Sequence, residues 1–196
     1  AWNSYKDLSF AYESKAGSLD IASEEISAII EKASSLPEIV AILEETLNMK
    51  KSYRVSRILE TILAGGISLG ASDIHIEPEE DYITLRYRLD GVLVKVLNFD
   101  KDTFGLLLSR IKLLSGLKLN IKKDSQDGRF SVLVGDTAME IRTSILPGAY
   151  NESIVLRILN PKSIGVHLED LGIPQKLLNI ILKEIEKPNG MLLTTG

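Results

Sequence analysis

QDGRFSVLVGDTAMEIRTSILPGAYNESIVLR, residues 126–157, is the stretch on which the reading of this chain turns. Gln126-Asp-Gly-Arg129 turns into an alternating segment with Phe130, Val132 and Val134 in phase. Gly135-Asp136 is a turn signal. In the next segment Met139, Ile141 and Ile145 share one face, and Glu140, Arg142 and Ser144 the other. Pro147 to Asn151 reads as a loop, and Ile154 to Leu159 as a third strand. Three arginines, Arg129, Arg142 and Arg157, thus sit on three short β-type segments joined by tight loops. A domain built only to pack rarely places guanidinium groups on sheet segments. The group is always charged, and its planar fork of donors suits phosphate and carboxylate. The stretch is expected to offer arginines to an anionic group, with nucleotide phosphate the first expectation. Arg157 interrupts an apolar run, where a charge without a partner costs several kcal/mol. It is expected to be half-buried, paired and structural.

Working towards the N-terminus, Leu117 to Asp124 is a basic connection with Lys118, Lys122 and Lys123. Before it, Asp100 to Ser115 reads as a helix capped by Asp100 or Asp102, burying Leu106, Leu107, Ile111 and Leu114 and ended by Gly116. Tyr82 to Leu97 is a hairpin, because Ile83, Leu85, Tyr87 and Leu89 alternate with polar residues up to Asp90-Gly91, and Val92, Val94 and Val96 follow. Arg86 and Arg88 read as solvated strand charges. Ala71 to Pro78 puts Asp73, His75 and Glu77 on one face and Ile74 and Ile76 on the other. That acidic and imidazole trio has metal-ligand chemistry, but it is consecutive on one short strand with no further ligand cluster. A half-solvated strand with a hydrogen-bonded, structural His75 is the expectation, and no metal site.

Three helices precede the strands. Residues 21–33 carry Ile26, Ile29, Ile30 and Ala33 on one face, with Asp20 as a candidate cap. Ser35-Leu-Pro-Glu38 is a capping box with proline in the first turn, opening a helix that buries Ile39, Val40, Leu43 and Leu47. After a polar connection at 48–52, residues 53–69 form a third helix with Val55, Ile58, Leu59, Ile62 and Leu63 inward. Gly65 and Gly66 weaken its last turns, and Gly70 is its stop. Residues 1–19 read as a loose arm.

The charge divides in the same place. The chain has 196 residues, 27 acidic and 23 basic, a net of −4. Residues 1–50 hold 9 acidic and 4 basic side chains, a net of −5, so the remainder carries +1. An acidic helical N-terminal part and a separate main domain follow from this split. There is no global basic signature for nucleic acid. There is no cysteine, which excludes disulfides and thiolate metal sites and makes a reducing cytoplasm the default. No apolar run approaches the roughly 20 residues needed to cross a bilayer.

Towards the C-terminus, Ser163 to Gly172 is a connector with His167 on the surface. Pro174 opens a helix with Leu177, Leu178, Ile181 and Ile185 inward, and Lys187-Pro-Asn-Gly190 breaks it. Met191-Leu-Leu-Thr-Thr195 reads as a strand reaching Gly196, where a phosphate-binding Gly-x-x-x-x-Gly-Lys-[Ser/Thr] loop would start.

That ending, with Ala-Ser-Asp-Ile-His-Ile-Glu-Pro, Arg-Tyr-Arg-Leu-Asp-Gly, Gln-Asp-Gly-Arg and Arg-x-Ser-x-x-Pro in order, resembles the type II secretion and type IV pilus assembly ATPases, over about residues 53–196. The resemblance implies an α+β chain. Residues 1–50 lie outside the resemblance and read from their own pattern as a helical N-terminal segment; 53–160 would be a PAS-like domain with an antiparallel sheet flanked by helices, 161–172 an interdomain linker and 173–196 the start of a RecA-like ATPase domain. It implies that Arg129 and Arg142 reach nucleotide phosphates at the interdomain cleft, and that Gly196 opens the phosphate loop. ATP and Mg²⁺ would belong to the full-length protein, which would form a hexamer in the cytoplasm at the inner-membrane face. Its partners would be platform proteins of secretion or pilus machinery. The P-loop lysine, the magnesium ligands and the catalytic glutamate are not in these residues, so hydrolysis is expected only of a longer protein. Two departures bear on loop conformation: Lys123-Asp-Ser125 stands where the family has Arg-Pro, and Asn151-Glu152 where it has Gly-Glu. Two other readings stay open: a ring-assembly module whose arginines make intersubunit salt bridges, and a PAS-like small-ligand sensor, for which no ligand-specifying polar residues are visible.

Overall fold

The computed structural model describes residues 18–19, 23–49, 51–159 and 168–193. It divides into two compact units, 1–159 and 160–196.

In the first unit, α1 (Ser23–Lys32), α2 (Leu36–Leu47) and α3 (Lys51–Ser68) precede the hairpin-rich sheet. The Glu38 carboxylate accepts the backbone N–H groups of Ser34 at 2.9 Å and Ser35 at 3.0 Å, the returning half of the expected box. Helix α3 begins at Lys51, so the expected 48–52 connection is shorter than read. It also runs straight through Gly65 and Gly66. A Cβ on Gly65 would lie 2.6 Å from Ile39 Cγ2, and one on Gly66 would lie 2.8 Å from Ile74 Cδ1. The two glycines therefore let α3 press onto α2 and the sheet, a tertiary gain that outweighs their helix propensity. Gly70, at φ +67°, ends the helix. Its N–H donates to Ile67 O at 3.1 Å, and Ala71 N–H donates to Gly66 O at 2.8 Å, the paired bonds of a Schellman stop.

Then come β2 (Asp73–Pro78), β3 (Ile83–Leu89), β4 (Val92–Phe99), α4 (Lys101–Leu114), β5 (Gln126–Val134), β6 (Thr137–Pro147) and β7 (Glu152–Leu159). With the two-residue β1 (Ser18–Leu19) they form one sheet of order β1-β5-β6-β7-β2-β3-β4. All pairings are antiparallel except β1 with β5. The fold is thus mixed, helices on an antiparallel sheet. Ile26, Ile29, Ile39, Leu43, Ile58 and Leu59 share one buried cluster with Ile74, Tyr87, Phe130, Ile141 and Leu156, so the first two helices belong to the same core as the sheet. The hydroxyl of Tyr87, deep in that core, donates to Ile62 O at 2.8 Å.

The Asp90-Gly91 turn has φ of +48° and +83°, the primed geometry a two-residue hairpin needs. Beyond it the expected alternation fails. The register shifts between Leu85 and Arg86, leaving Val96 as an extra residue on β4. Val92 is exposed, while Val96, Leu97 and Phe99 are buried, because the bulge moves the chain from one phase to the other. In α4 the buried stripe is Phe104, Leu107, Leu108 and Ile111, and Leu106, expected inside, is exposed. The i, i+3, i+4, i+7 spacing from Phe104 fixes that face and turns Leu106 away.

The second unit holds a 3₁₀ turn, Leu168–Leu171, and α5, Gln175–Ile185. Of the four residues expected inward on α5, Leu178 is buried and Leu177 and Ile185 are exposed; an apolar face gains nothing until a layer covers it. Met191, Leu192 and Leu193 are exposed and not in a strand, since a strand requires a ladder partner and none is present among the described residues. Of the loose arm expected over residues 1–19, Ser18 and Leu19 form β1 against β5, while residues 1–17, the cap at Asp20, His167 and Gly196 lie outside the described residues.

Candidate functional site

The helices cover one face of the sheet. The other face carries the arginines. Arg129 on β5 lies directly opposite Arg142 on β6, and Arg142 directly opposite Arg157 on β7. The row continues through Asp73 on β2 to Arg88 on β3. Directly opposed residues share a face, with Cβ atoms about 5 Å apart. The alternation expected from the sequence is what puts them there: Phe130, Ile141 and Leu156 point into the core, so their neighbours Arg129, Arg142 and Arg157 point out.

Glu140 lies between the first two arginines. Its Oε1 accepts Arg142 Nε at 3.1 Å, and its Oε2 faces Arg129 Nη1 at 3.6 Å. One carboxylate therefore serves two guanidiniums whose side chains are 76% and 65% exposed. Asp127 does not join them, since its carboxylate accepts the Ser144 hydroxyl at 2.6 Å.

Arg157 is paired as expected, through Nε to Asp73 Oδ1 at 2.9 Å. It is not half-buried. Its side chain is 64% exposed, and the buried member is Asp73. Arg157 is out of phase with Ile154 and Leu156, so it never entered the core. Asp73 Oδ2 also meets Arg88 Nε at 3.2 Å and accepts the Ser72 hydroxyl at 2.9 Å. Burial pushes the Asp73 carboxyl up, but the bonds from Arg157 and Ser72 and the two cationic neighbours outweigh it and hold the group below its ordinary value. His75, half-buried with Nδ1 at 3.2 Å from Glu77, is held below its ordinary value by burial and then by Arg88, so it stays neutral. Arg86 is ion-paired with Glu77 rather than solvated alone. No metal-holding group of three acidic, His or Cys side chains exists among the described residues.

The arginine strands are anchored from below. Gly128 of Gln-Asp-Gly-Arg passes against the end of α4, and a Cβ there would stand 2.3 Å from Ser115 O. Next to it the Thr143 and Ser115 hydroxyls are 2.8 Å apart in the interior. Gln126 clamps the 117–125 connection: its amide oxygen accepts Lys118 N–H at 2.9 Å, and its NH₂ donates to Lys118 O at 3.0 Å and Ile121 O at 3.1 Å.

A buried ion pair in this region was not expected from the sequence. Lys112 and Glu152 are both buried, with Nζ to Oε1 at 2.6 Å, and Nζ also donates to Ile121 O at 2.9 Å. This pair joins α4, the 117–125 connection and the start of β7. A signal existed. Lys112 lies four residues after Leu108 on the apolar stripe, and Glu152 is in phase with Ile154 and Leu156. Asn151, where the resemblance leads one to expect glycine, caps the loop by accepting Glu152 N–H on its side chain at 2.8 Å and Gly148 N–H on its carbonyl at 2.9 Å.

The family described as "Type II/IV secretion system protein" matches residues 48–196. This chain belongs to that family. It is 37% identical over 153 residues to type II secretion system protein E of Aeromonas hydrophila, covering 78% of this chain and 30% of the relative. It is 35% identical over 184 residues to the protein of that name from Pseudomonas aeruginosa, covering 94% of this chain and 34% of the relative. A Vibrio cholerae relative, named type II secretion system ATPase E, is 33% identical over 173 residues, covering 88% of this chain and 34% of its own. The chain thus spans about a third of the length of these relatives. A solved structure, the ATPase DotB of Legionella pneumophila, aligns with 63% of this chain and 34% of its own at TM-score 0.44 and 21% identity, too slight a likeness to bear on the fold. No described helix is long and apolar enough to cross a membrane.

Proposed function

We propose that this family member is the nucleotide-clamping part of a secretion ATPase, and that Arg129 and Arg142 grip the phosphates of an ATP held by the RecA-like remainder of the full-length protein. The observation that carries the reading is the pairing of two exposed guanidiniums directly across a strand pair, with Glu140 shared between them. Like charges so placed destabilise a sheet, and the arrangement becomes favourable once an anion bridges them. Phosphoryl transfer depends on positioning and charge stabilisation, to which a well-placed arginine adds roughly 10³–10⁵ in rate. A guanidinium on a separate domain also ties domain closure to the terminal phosphate, which converts nucleotide state into motion.

On this reading residues 53–160 are the PAS-like domain, 161–172 the linker and 173–196 the opening of the ATPase domain, with the phosphate loop beginning at Gly196. Hydrolysis with Mg²⁺ is the work of the longer protein. That protein acts as a hexamer on the cytoplasmic side of the inner membrane, on secretion or pilus platform proteins. In it, Arg129→Ala and Arg142→Ala should each lower ATP turnover by about 10²-fold or more while the protein folds normally. Unchanged turnover in both rejects the clamp. Normal turnover together with loss of the ring on sedimentation transfers the arginines to intersubunit contacts.

A further inference from the structure

The row of cations does not stop at the two arginines of the clamp. Arg157 stands next in register, directly opposite Arg142, with a side chain exposed to the same degree, 64% against 65%. Three guanidiniums on adjacent strands span two strand spacings, roughly 10 Å, a distance that flexible arginine side chains close easily around a polyphosphate. Four guanidiniums in the row, Arg88, Arg129, Arg142 and Arg157, meet two carboxylates, Asp73 and Glu140, and Asp127 on the same face adds a third, which leaves a surplus of one positive charge.

The manner of pairing separates Arg157 from an ordinary structural ion pair. A guanidinium committed to a carboxylate commonly gives it two N–H groups side by side. Arg157 gives Asp73 only Nε, and its two Nη groups have no partner among the described residues. Arg142 does the same with Glu140, also through Nε. Each carboxylate therefore holds the root of the guanidinium and leaves the outer edge available. Asp73 is the better holder, because it is buried and is fixed in turn by Ser72 and Arg88. Arg157 is thus pre-oriented, and less side-chain entropy is lost when it takes a ligand.

We propose that Arg157 is a third phosphate-contacting arginine, held by Asp73 and acting on the same polyphosphate as Arg129 and Arg142. The proposal rests on the clamp reading and adds to it a residue and a holder. The test is steady-state ATP hydrolysis and equilibrium binding of ATP and ADP by the full-length protein, in Arg157→Lys, Arg157→Gln and Asp73→Asn variants, with Arg129→Ala and Arg142→Ala alongside. Arg157→Lys keeps a charge beside Asp73 but loses the fork, so its melting temperature should stay near that of the parent. Its kcat/KM for ATP should fall about tenfold or more, the worth of a hydrogen bond to a charged group, and its preference for ATP over ADP should shrink. Arg157→Gln should lose more ATP affinity than Asp73→Asn, which leaves the guanidinium in place. Arg157 variants with parental kcat/KM and ATP preference, beside Arg129→Ala and Arg142→Ala variants that have lost activity, would overturn this inference and leave the clamp standing. Equal losses in Arg157→Gln and Asp73→Asn, tracking a common fall in melting temperature, would also overturn it, since Arg157 would then serve only the fold. Parental activity in all the arginine variants would remove the clamp and this proposal together.

Discussion

The two charged regions of the first unit are built in opposite ways. At Lys112 and Glu152, one cation meets one carboxylate and a backbone carbonyl in the interior. On the open face, Arg129 and Arg142 share one carboxylate in solvent. The first arrangement is complete and fixes where three segments lie. The second is left short of negative charge, and its side chains remain accessible. Burial makes the difference in what charge is for. A dry pair is costly to break, so it serves to position; a wet, under-neutralised row costs little to keep and stays open to the anion that the proposed function assigns to it.

The sharpest way to break this contrast is Glu152→Gln. It leaves the Lys112 ammonium buried without its counter-charge, and the chain should lose about 3–5 kcal/mol in urea unfolding. Lys112→Met combined with Glu152→Leu should recover most of that loss, because two apolar side chains of similar size need no partner. A Glu152→Gln loss below about 1 kcal/mol would mean that water reaches the pair.

Gly128→Ala comes next. The new Cβ would fall 2.3 Å from Ser115 O, a backbone atom, so β5 must move away from the end of α4. A cost of about 1–3 kcal/mol is expected, as for other forced overpacking. In the full-length protein this variant should also impair ATP turnover, since Arg129 is the next residue and moves with the strand.

These two sites also mark what the sequence made legible. Period-two alternation placed Arg129 and Arg142 on the face away from Ile141 and Phe130, and Asp90-Gly91 and Gly70 announced their own turns. Each of those signals is local, carried by the residue's own backbone preference or by its immediate neighbours. The bulge at Val96, the burial of Lys112 with Glu152 across 40 residues, and the helical run through Gly65 and Gly66 are not local. Each is decided by which element lies alongside, and that partner is distant in the chain. Arg157 fell between the two cases. Its pairing followed from its charge, but its exposure depended on phase, and phase was masked by an unbroken apolar run.

Acid titration tests the carboxylate that holds Arg157 on the open face. Asp73 is held below its ordinary value of 3.8, so it contributes stability that is fully present above that pH. The contribution is lost as pH falls through the lowered folded value, because the unfolded carboxyl binds its proton first. Melting temperature followed from pH 6 down to about pH 2 should show this loss in the parent chain. Asp73→Asn should start less stable at neutral pH and lose less on acidification. Curves that stay parallel over the whole range would show that Arg157 and Arg88 do not stabilise the ionised carboxylate.

The smallest expected effect on folding is the most telling for the open face. Arg142→Ala removes a side chain whose one hydrogen bond is to an exposed carboxylate, and exposed pairs contribute about 0–1 kcal/mol. It also removes the like charge that faces Arg129 and Arg157 from either side, a repulsion of comparable size. The two terms oppose each other, so the unfolding free energy of this chain should change by no more than about 0.5 kcal/mol. A rise in stability on adding salt to the parent, absent in the variant, would report the same repulsion, because screening relieves it. A loss of about 2 kcal/mol would mean that Arg142 holds the sheet together, and the distinction between a region that positions and a region that binds would fail at its central residue.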